Sequence, residues 1–255
     1  MSELLLETRG LQKRFGGLVA TESVSLAIRR GECLAVIGPN GAGKTTLIGQ
    51  LSGDIAPDAG HVFFAGSDVT DFGAHRRAML GFARSFQITS ILGSFTVVDN
   101  VALAVQAVSG SSFRFWHAVD TETDLAEKAL EILHRVGLEG LAQRTARDLS
   151  HGEHRQLELA LALATRPQLM LLDEPMAGMG PDESERMLSL IAGLKGSHTR
   201  VLVEHDMDVV FRLADRISVL VAGRIIATGS GEEIRANAEV RNAYLGDDAS
   251  GEGMP

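Results

Sequence analysis

One eight-residue segment combines glycines, a lysine and a hydroxyl at a spacing suited to holding a chain of phosphates. Its residues are Gly38, Pro39, Asn40, Gly41, Ala42, Gly43, Lys44 and Thr45. Glycines let the backbone curl so that successive N–H groups point at one anion. The Lys44 ammonium would reach the β and γ phosphates of a nucleoside triphosphate, and the Thr45 hydroxyl would bind Mg²⁺. The segment therefore predicts a site for ATP or a related nucleotide together with magnesium.

The residues on either side of this loop predict the strand and the helix that such a site needs. The apolar run 33–37 predicts a buried strand, and Thr46 opens a helix that should end near Gly53. The N-terminus of a helix carries partial positive charge and unpaired N–H groups, both of which favour a phosphate. We therefore include Thr46 among the nucleotide-binding residues. The simpler interpretation, a glycine-rich turn beside a surface lysine, leaves the matching features below unexplained.

A second segment supplies carboxylates at the end of another predicted strand. The apolar run 169–172 is followed by Asp173 and Glu174, and Pro175 ends the strand. Buried parallel strands bring their last residues to the sheet edge where ligands bind in open α/β folds. Asp173 would hold Mg²⁺ directly or through water, and Glu174 would act as general base on the attacking water. The alternative is a strand end with two solvated acids, which the upstream phosphate loop disfavours.

Length, charge and cysteine content narrow the class of protein. The chain has 255 residues, a formal net charge of -9 and a pI of about 5.4, which argues against general nucleic-acid binding. Cys33 is the only cysteine, so no intrachain disulfide can form, and its apolar surroundings predict a packing role. We find no signal peptide and no apolar run of about 18 residues. The sequence thus predicts a soluble, cytoplasmic protein that reaches the membrane only through a partner.

The order of predicted elements indicates an α/β fold with an insertion. Strands dominate residues 2–37, helical periodicity dominates from about 87 to 148, and alternating strands and helices then resume. We predict a mostly parallel core sheet flanked by helices, with an N-terminal antiparallel β region. A single domain should cover residues 1–246, with a helical subdomain inserted at about 88–165. The acidic tail 247–255 is expected to be flexible.

The segment Leu149-Ser150-His151-Gly152-Glu153 shows which family the chain resembles. It is similar to the Leu-Ser-Gly-Gly-Gln signature of ABC-type ATPases and precedes the acidic pair, which matches their Walker B motif. The resemblance covers about residues 4–246. It implies that Ser150 and Gly152 bind the γ-phosphate held by the P-loop of a second ABC ATPase subunit, in a head-to-tail dimer. Ser150 would also cap the helix that follows it. His151 and Glu153 depart from the usual glycine and glutamine.

Further positions carry over from the same resemblance. Gln87 matches the Q-loop glutamine, which senses Mg²⁺ and the attacking water, and His205 matches the switch histidine at the γ-phosphate. Phe15 matches the aromatic residue that stacks on adenine, and Ala20 would lie near the base or ribose. The simpler interpretations are that Gln87 is a polar residue at an element boundary, that His205 is a surface histidine, and that Phe15 only packs against its neighbours. Gly180 stands where the family's D-loop commonly has aspartate or asparagine, and Asp182 is the nearest carboxylate that could replace it.

Three segments resemble the ATPases of high-affinity branched-chain amino-acid uptake: residues 14–18, residues 83–101 around Gln87, and residues 240–246. That group implies permease subunits whose coupling helices bind near residues 88–110, a periplasmic solute-binding protein as an indirect partner, and a position on the inner face of the cell membrane. An export ATPase of the lipopolysaccharide-extraction type shares much of the pattern and remains an alternative. A soluble ABC ATPase acting in translation or repair is less consistent with a single cassette. Kinases and GTPases do not carry the signature segment.

Overall fold

The computed structural model describes residues 3–85, 91–108 and 118–245. Its strands are β1 (Leu4–Phe15), β2 (Leu18–Arg29), β3 (Cys33–Ile37), β4 (Ala59–Phe64), β5 (Ser67–Asp68), β6 (Phe82–Ser85), β7 (Leu169–Asp173), β8 (Thr199–Val203), β9 (Arg216–Val221) and β10 (Arg224–Gly229). Its α-helices are α1 (Lys44–Ser52), α2 (Ala74–Met79), α3 (Val97–Val108), α4 (Ala118–Val136), α5 (His151–Ala164), α6 (Pro181–Ala192), α7 (Met207–Leu213), α8 (Gly231–Ala236) and α9 (Ala238–Leu245). Within these ranges no helix is long and apolar enough to cross a membrane.

A six-stranded sheet forms the centre of the fold, in the order β10-β9-β3-β8-β7-β6. Its strands pair in parallel except for the antiparallel hairpin of β9 and β10. Strands β3 and β8 are buried along their whole length and β7 along all but its last residue, which explains their continuous apolar sequences. Because these strands run in the same direction, the residues that follow them meet at one edge of the sheet.

The two faces of this sheet are covered by different layers. One face packs on α1 and on an antiparallel sheet in the order β2-β1-β4-β5. The other face shares a core with the helical block α3, α4 and α5, in which Val101, Leu133 and Leu157 pack with Ala35 and Leu172 of the sheet. The predicted mostly parallel sheet, the N-terminal antiparallel region and the helical block are therefore confirmed.

Several boundaries differ from the sequence-based expectation. The apolar run 4–6 and the two residues after it predict a strand over residues 4–8. This strand continues as β1 to Phe15, because a register shift between Thr8 and Leu11 breaks the alternation that would have revealed its full length. Strand β6 was not expected, since only Phe82 and Ala83 of its four residues are apolar. It nevertheless pairs in parallel with β7. The sequence Ser-Gly-Ser-Ser at residues 109–112 predicts a loop, and both this segment and the tail predicted at 247–255 lie outside the described residues.

Candidate nucleotide site

The glycine-rich loop connects β3 to α1, as the sequence predicted. Gly43 caps α1 with a left-handed φ of 105°, and a Cβ there would lie 2.0 Å from the carbonyl oxygen of Ala20. Only glycine can satisfy both conditions. The backbone of Ala20 therefore packs directly against the loop at Gly43, and its predicted place near the base or ribose stays a prediction. The ten predicted binding positions of this region lie together in space: Ala20 and the nine consecutive residues Gly38 to Thr46.

Lys44 is held inside the loop by the backbone of the loop itself. Its ammonium donates hydrogen bonds to the carbonyl oxygens of Gly38, at 2.6 Å, and Pro39, at 3.0 Å. Burial lowers the pKa of Lys44, and the nearby carboxylates of Glu174 and Asp173 oppose that shift. A cation with so little water around it interacts strongly with an anion placed beside it. Lys44 is therefore positioned to bind a phosphate group close to the two carboxylates.

Asp173 ends β7 with a largely buried carboxylate, whose side chain is only 7% exposed. Its Oδ2 lies 3.4 Å from Nη2 of Arg84 in β6. Burial raises the pKa of Asp173, while the Arg84 guanidinium pulls it down. Thr45 lies exposed in the first turn of α1. A hydroxyl and a carboxylate oxygen are ligands that Mg²⁺ accepts together with phosphate oxygens and water, so Thr45 and Asp173 suit that ion.

Glu174 follows Asp173 in an uncommon backbone conformation. Its φ is 49°, a left-handed value that is rare for non-glycine residues, and its N–H donates to the carbonyl oxygen of Val203 at 2.9 Å. Such strained positions cluster at functional sites. The Glu174 side chain is 46% exposed and its Oε1 lies 3.9 Å from Nδ1 of His205. The adjacent strands β7 and β8 thus bring the predicted general base and the predicted switch histidine together.

Glu204 is a buried acid at this site that the sequence-based reasoning missed. Its carboxylate accepts hydrogen bonds from the N–H groups of Met176 and His205, each at 3.3 Å. Burial raises the pKa of Glu204, and these hydrogen bonds partly offset that shift. One carboxylate therefore ties the loop after β7 to the loop after β8. The only available signal was its position between a buried strand and His205.

The signature segment forms the N-terminus of α5. Ser150 is the N-cap: its Oγ accepts from the N–H of Glu153 at 3.3 Å, and the Glu153 carboxylate accepts from the N–H of Ser150 at 2.7 Å. This reciprocal capping box gives Glu153 a structural role at the position where the resemblance led us to expect glutamine. Gly152 is in close contact with α6, since a Cβ there would lie 2.5 Å from Oε1 of Glu183.

The segment that matches the family's D-loop, residues 177–180, lies beside the signature segment. Nε2 of His151 is 3.4 Å from the carbonyl oxygen of Ala177, so the unusual histidine contacts the D-loop of its own chain. Gly180 caps α6, and its N–H donates to Glu183 at 3.3 Å. Asp182 is exposed in the first turn of α6. The backbone at Gly180 is extended, and a Cβ there would meet nothing within 4 Å. The structure therefore leaves room for an aspartate or asparagine side chain at this position.

Two predicted residues remain. Phe15 ends β1 with a ring that is 49% exposed, and the Lys13 ammonium lies 5.6 Å from the ring centre, so the ring is accessible for stacking. Gln87 lies outside the described residues. Among the residues that are described, no cluster of three or more histidine, cysteine or acidic side chains could hold a metal by itself.

Two family models match this sequence. Residues 21–177, which carry the phosphate loop, the signature segment and the acidic pair, match the model described as ABC transporter. The chain belongs to the ABC transporter ATP-binding family. A second model, described as branched-chain amino acid ATP-binding cassette transporter, matches residues 224–250. The ABC fold and the ATPase class predicted from the sequence are confirmed.

Curated relatives place this ABC ATPase near one group. It is 38% identical to LivG of Salmonella typhimurium, a high-affinity branched-chain amino acid transport ATP-binding protein, over 97% of this chain and all of the relative. It is 37% identical to BraF of Pseudomonas aeruginosa, with the same description and coverage. A crystal structure of an ABC transporter cassette in its ADP conformation superposes with a TM-score of 0.81 at 30% identity, covering 95% of this chain and 99% of the other. A nucleotide-free cassette superposes equally well, at 31% identity over 94% and 98%.

Proposed function

We propose that this ABC ATPase supplies the energy for import of branched-chain amino acids, with Glu174 as the general base of ATP hydrolysis. The observation that carries the catalytic part is the meeting of Glu174 and His205 at one sheet edge, 3.9 Å apart, beside the charge of Lys44. The transported class is supported by the described relatives and by the family model matched at the C-terminal end.

The groups of the site divide the work of binding and catalysis. The loop backbone and Lys44 hold the phosphates, and Phe15 stacks on the base. Thr45 and Asp173 are the ligands through which the protein would hold Mg²⁺, which neutralises phosphate charge when it is bound. Glu174 accepts a proton from the attacking water, and His205 contacts the γ-phosphate. Gln87 is assigned to the same site from its sequence alone.

A second ABC ATPase subunit would complete the site. Ser150 and Gly152 lie at the N-terminus of α5, a helix of 14 residues whose first N–H groups and dipole favour a phosphate. The resemblance assigns these two residues to the γ-phosphate held by the P-loop of the second subunit. Hydrolysis would then separate two subunits that ATP had brought together.

A groove between β6 and the helical block is the proposed contact with the permeases. It is lined largely by small and apolar side chains, including Ala104, Leu161 and Ala162. Leu92 and Leu103 are 45% and 41% exposed and line the same groove, so together they present apolar surface to the solvent. A short amphipathic coupling helix from a permease fits such a surface. The ATPase would then lie on the inner face of the membrane and meet the periplasmic solute-binding protein only through the permeases.

The test is uptake by cells that lack this gene. Labelled leucine, urea and an aromatic acid would be supplied to cells carrying the wild type, Glu174→Gln, or Glu185→Gln as a matched control. Glu185 is exposed on α6 and paired with Arg212. We expect leucine uptake with the wild type and the control, but not with Glu174→Gln, which should still bind ATP. Leucine uptake supported by Glu174→Gln would refute the assignment of Glu174 as the general base. If the cells that lack the gene lose uptake of urea or of the aromatic acid and keep uptake of leucine, the proposed substrate class is wrong.

A further inference from the structure

Arg84 connects three parts of the nucleotide site that are far apart in sequence. It lies in β6 opposite Leu171 of β7. Its Nη1 is 2.6 Å from Oδ2 of Asp54, just beyond the C-terminus of α1, and its Nη2 is 3.4 Å from Oδ2 of Asp173. Nη1 also lies 3.3 Å from Oγ of Ser52. The side chain is 15% exposed, so this bridge is mostly shielded from water.

The bridge suits a guanidinium better than any other side chain. Its rigid fork presents several N–H donors at fixed angles, so one Arg84 can hold Asp54 with one nitrogen and Asp173 with another. Asp54 is itself fixed, since its Oδ2 accepts from the Ser52 hydroxyl at 2.5 Å. Asp173 has no other ion-pair partner among the described residues. The orientation of the Asp173 carboxylate therefore depends on an arginine that is anchored at its far side.

We propose that Arg84 is a positioning residue that holds the Asp173 carboxylate ready for its metal ion, with Asp54 as the anchor. The inference rests on the proposed role of Asp173 as a magnesium ligand. Arg84 contacts only one carboxylate oxygen of Asp173, Oδ2. Groups that orient a metal ligand from behind typically change metal affinity 10- to 100-fold when they are removed. Loss of Arg84 should weaken metal binding even though it removes a positive charge, because an unanchored carboxylate must be ordered by the metal itself.

The test measures the binding of a non-hydrolysable ATP analogue by calorimetry at a series of free Mg²⁺ concentrations. For Arg84→Gln we expect the Mg²⁺ concentration that gives half of the metal-dependent gain in affinity to rise about 10-fold or more. Affinity in the presence of EDTA should stay unchanged. Arg84→Lys keeps the charge but loses the fork, and it should recover part of the shift. Asp54→Asn, which leaves Arg84 in place but weakens its anchor, should produce a smaller shift in the same direction.

Two further variants separate the possible failures. Arg216→Gln is a matched control, because Arg216 also forms an ion pair, at 2.9 Å from the buried Glu32. Arg216 lies at the beginning of β9, at the end of the sheet opposite to the carboxyl end of β7. It should leave the Mg²⁺ dependence unchanged. If Asp173→Asn also leaves it unchanged, the proposed magnesium ligand is wrong and the role of Arg84 falls with it. If Asp173→Asn shifts the dependence but Arg84→Gln and Asp54→Asn do not, only the positioning role is refuted.

Discussion

Arg77 secures the end of the helix that carries the phosphate loop. Its buried guanidinium donates to five carbonyl oxygens, those of Gln50, Leu51, Val69, Thr70 and Phe72, at 2.7 to 3.0 Å. The first two belong to the last turn of α1, where carbonyl groups have no partner within the helix. Burial lowers the pKa of Arg77 to about 10, so it stays charged at neutral pH.

Replacing Arg77 by methionine keeps much of the side-chain volume and removes all five donors. Hydrogen bonds from a charged donor contribute about 1.5–3 kcal/mol each, so their sum is an upper bound of roughly 7–15 kcal/mol. The variant also avoids the desolvation of a buried guanidinium, which offsets several kcal/mol of that sum. We expect a net loss of about 3–5 kcal/mol in the free energy of unfolding. For a chain of this length that corresponds to a fall in Tm of about 10 °C.

The assay is thermal and urea unfolding, followed by circular dichroism, of Arg77→Met against Arg76→Met. Arg76 is the neighbouring residue of α2, exposed, with its guanidinium 3.6 Å from the centre of the Phe72 ring. Loss of that contact should cost about 1 kcal/mol or less. If Arg77→Met is as stable as Arg76→Met, the carbonyl groups at the end of α1 do not need Arg77. The reasoning from the five hydrogen bonds would then be refuted.

Two other predictions concern the loop and the buried acid. Gly43→Ala places a Cβ 2.0 Å from the Ala20 carbonyl oxygen and should abolish ATP binding. Gly41→Ala, where φ is 78° but a Cβ would meet nothing within 4 Å, should cost only about 1–2 kcal/mol of backbone strain. Equal affinities of the two variants for ATP in equilibrium binding would contradict the packing argument. For Glu204, burial raises the pKa of the folded state, so protonation favours folding and this contribution is lost as pH rises through the folded pKa. The wild type should therefore lose stability relative to Glu204→Gln as the pH rises above the ordinary range of a carboxyl group, measured by urea unfolding at a series of pH values. A stability difference that does not change with pH would show that the pKa of Glu204 is not raised.

The parts of the site that the sequence predicted are those encoded in short, contiguous segments. The phosphate loop needs only glycines of the right spacing between a strand and a helix, and Glu174 and His205 each follow an apolar run that identifies a buried strand. Parallel strands bring such ends together whatever the loops between them do. These placements therefore follow from local patterns and one general property of sheets.

The parts that the sequence did not predict depend on contacts between distant segments. Arg84 meets Asp54 only because β6 pairs with β7 in a particular register, and Arg77 meets the end of α1 only through the turn that precedes α2. Ala20 supports the loop through a carbonyl oxygen, which carries no side-chain signal at all. Such contacts are set by tertiary packing, and a single sequence gives no periodicity or spacing from which to infer them.

Arg84 lies between the groove proposed for the permeases and the proposed magnesium ligand Asp173. The same side chain that contacts Asp173 lines the groove bordered by Leu92 and Leu103. A helix seated in that groove and the carboxylate at the end of β7 would thus have a common neighbour, with no intervening layer of core. A helix that displaced the Arg84 guanidinium would therefore alter a direct contact of Asp173.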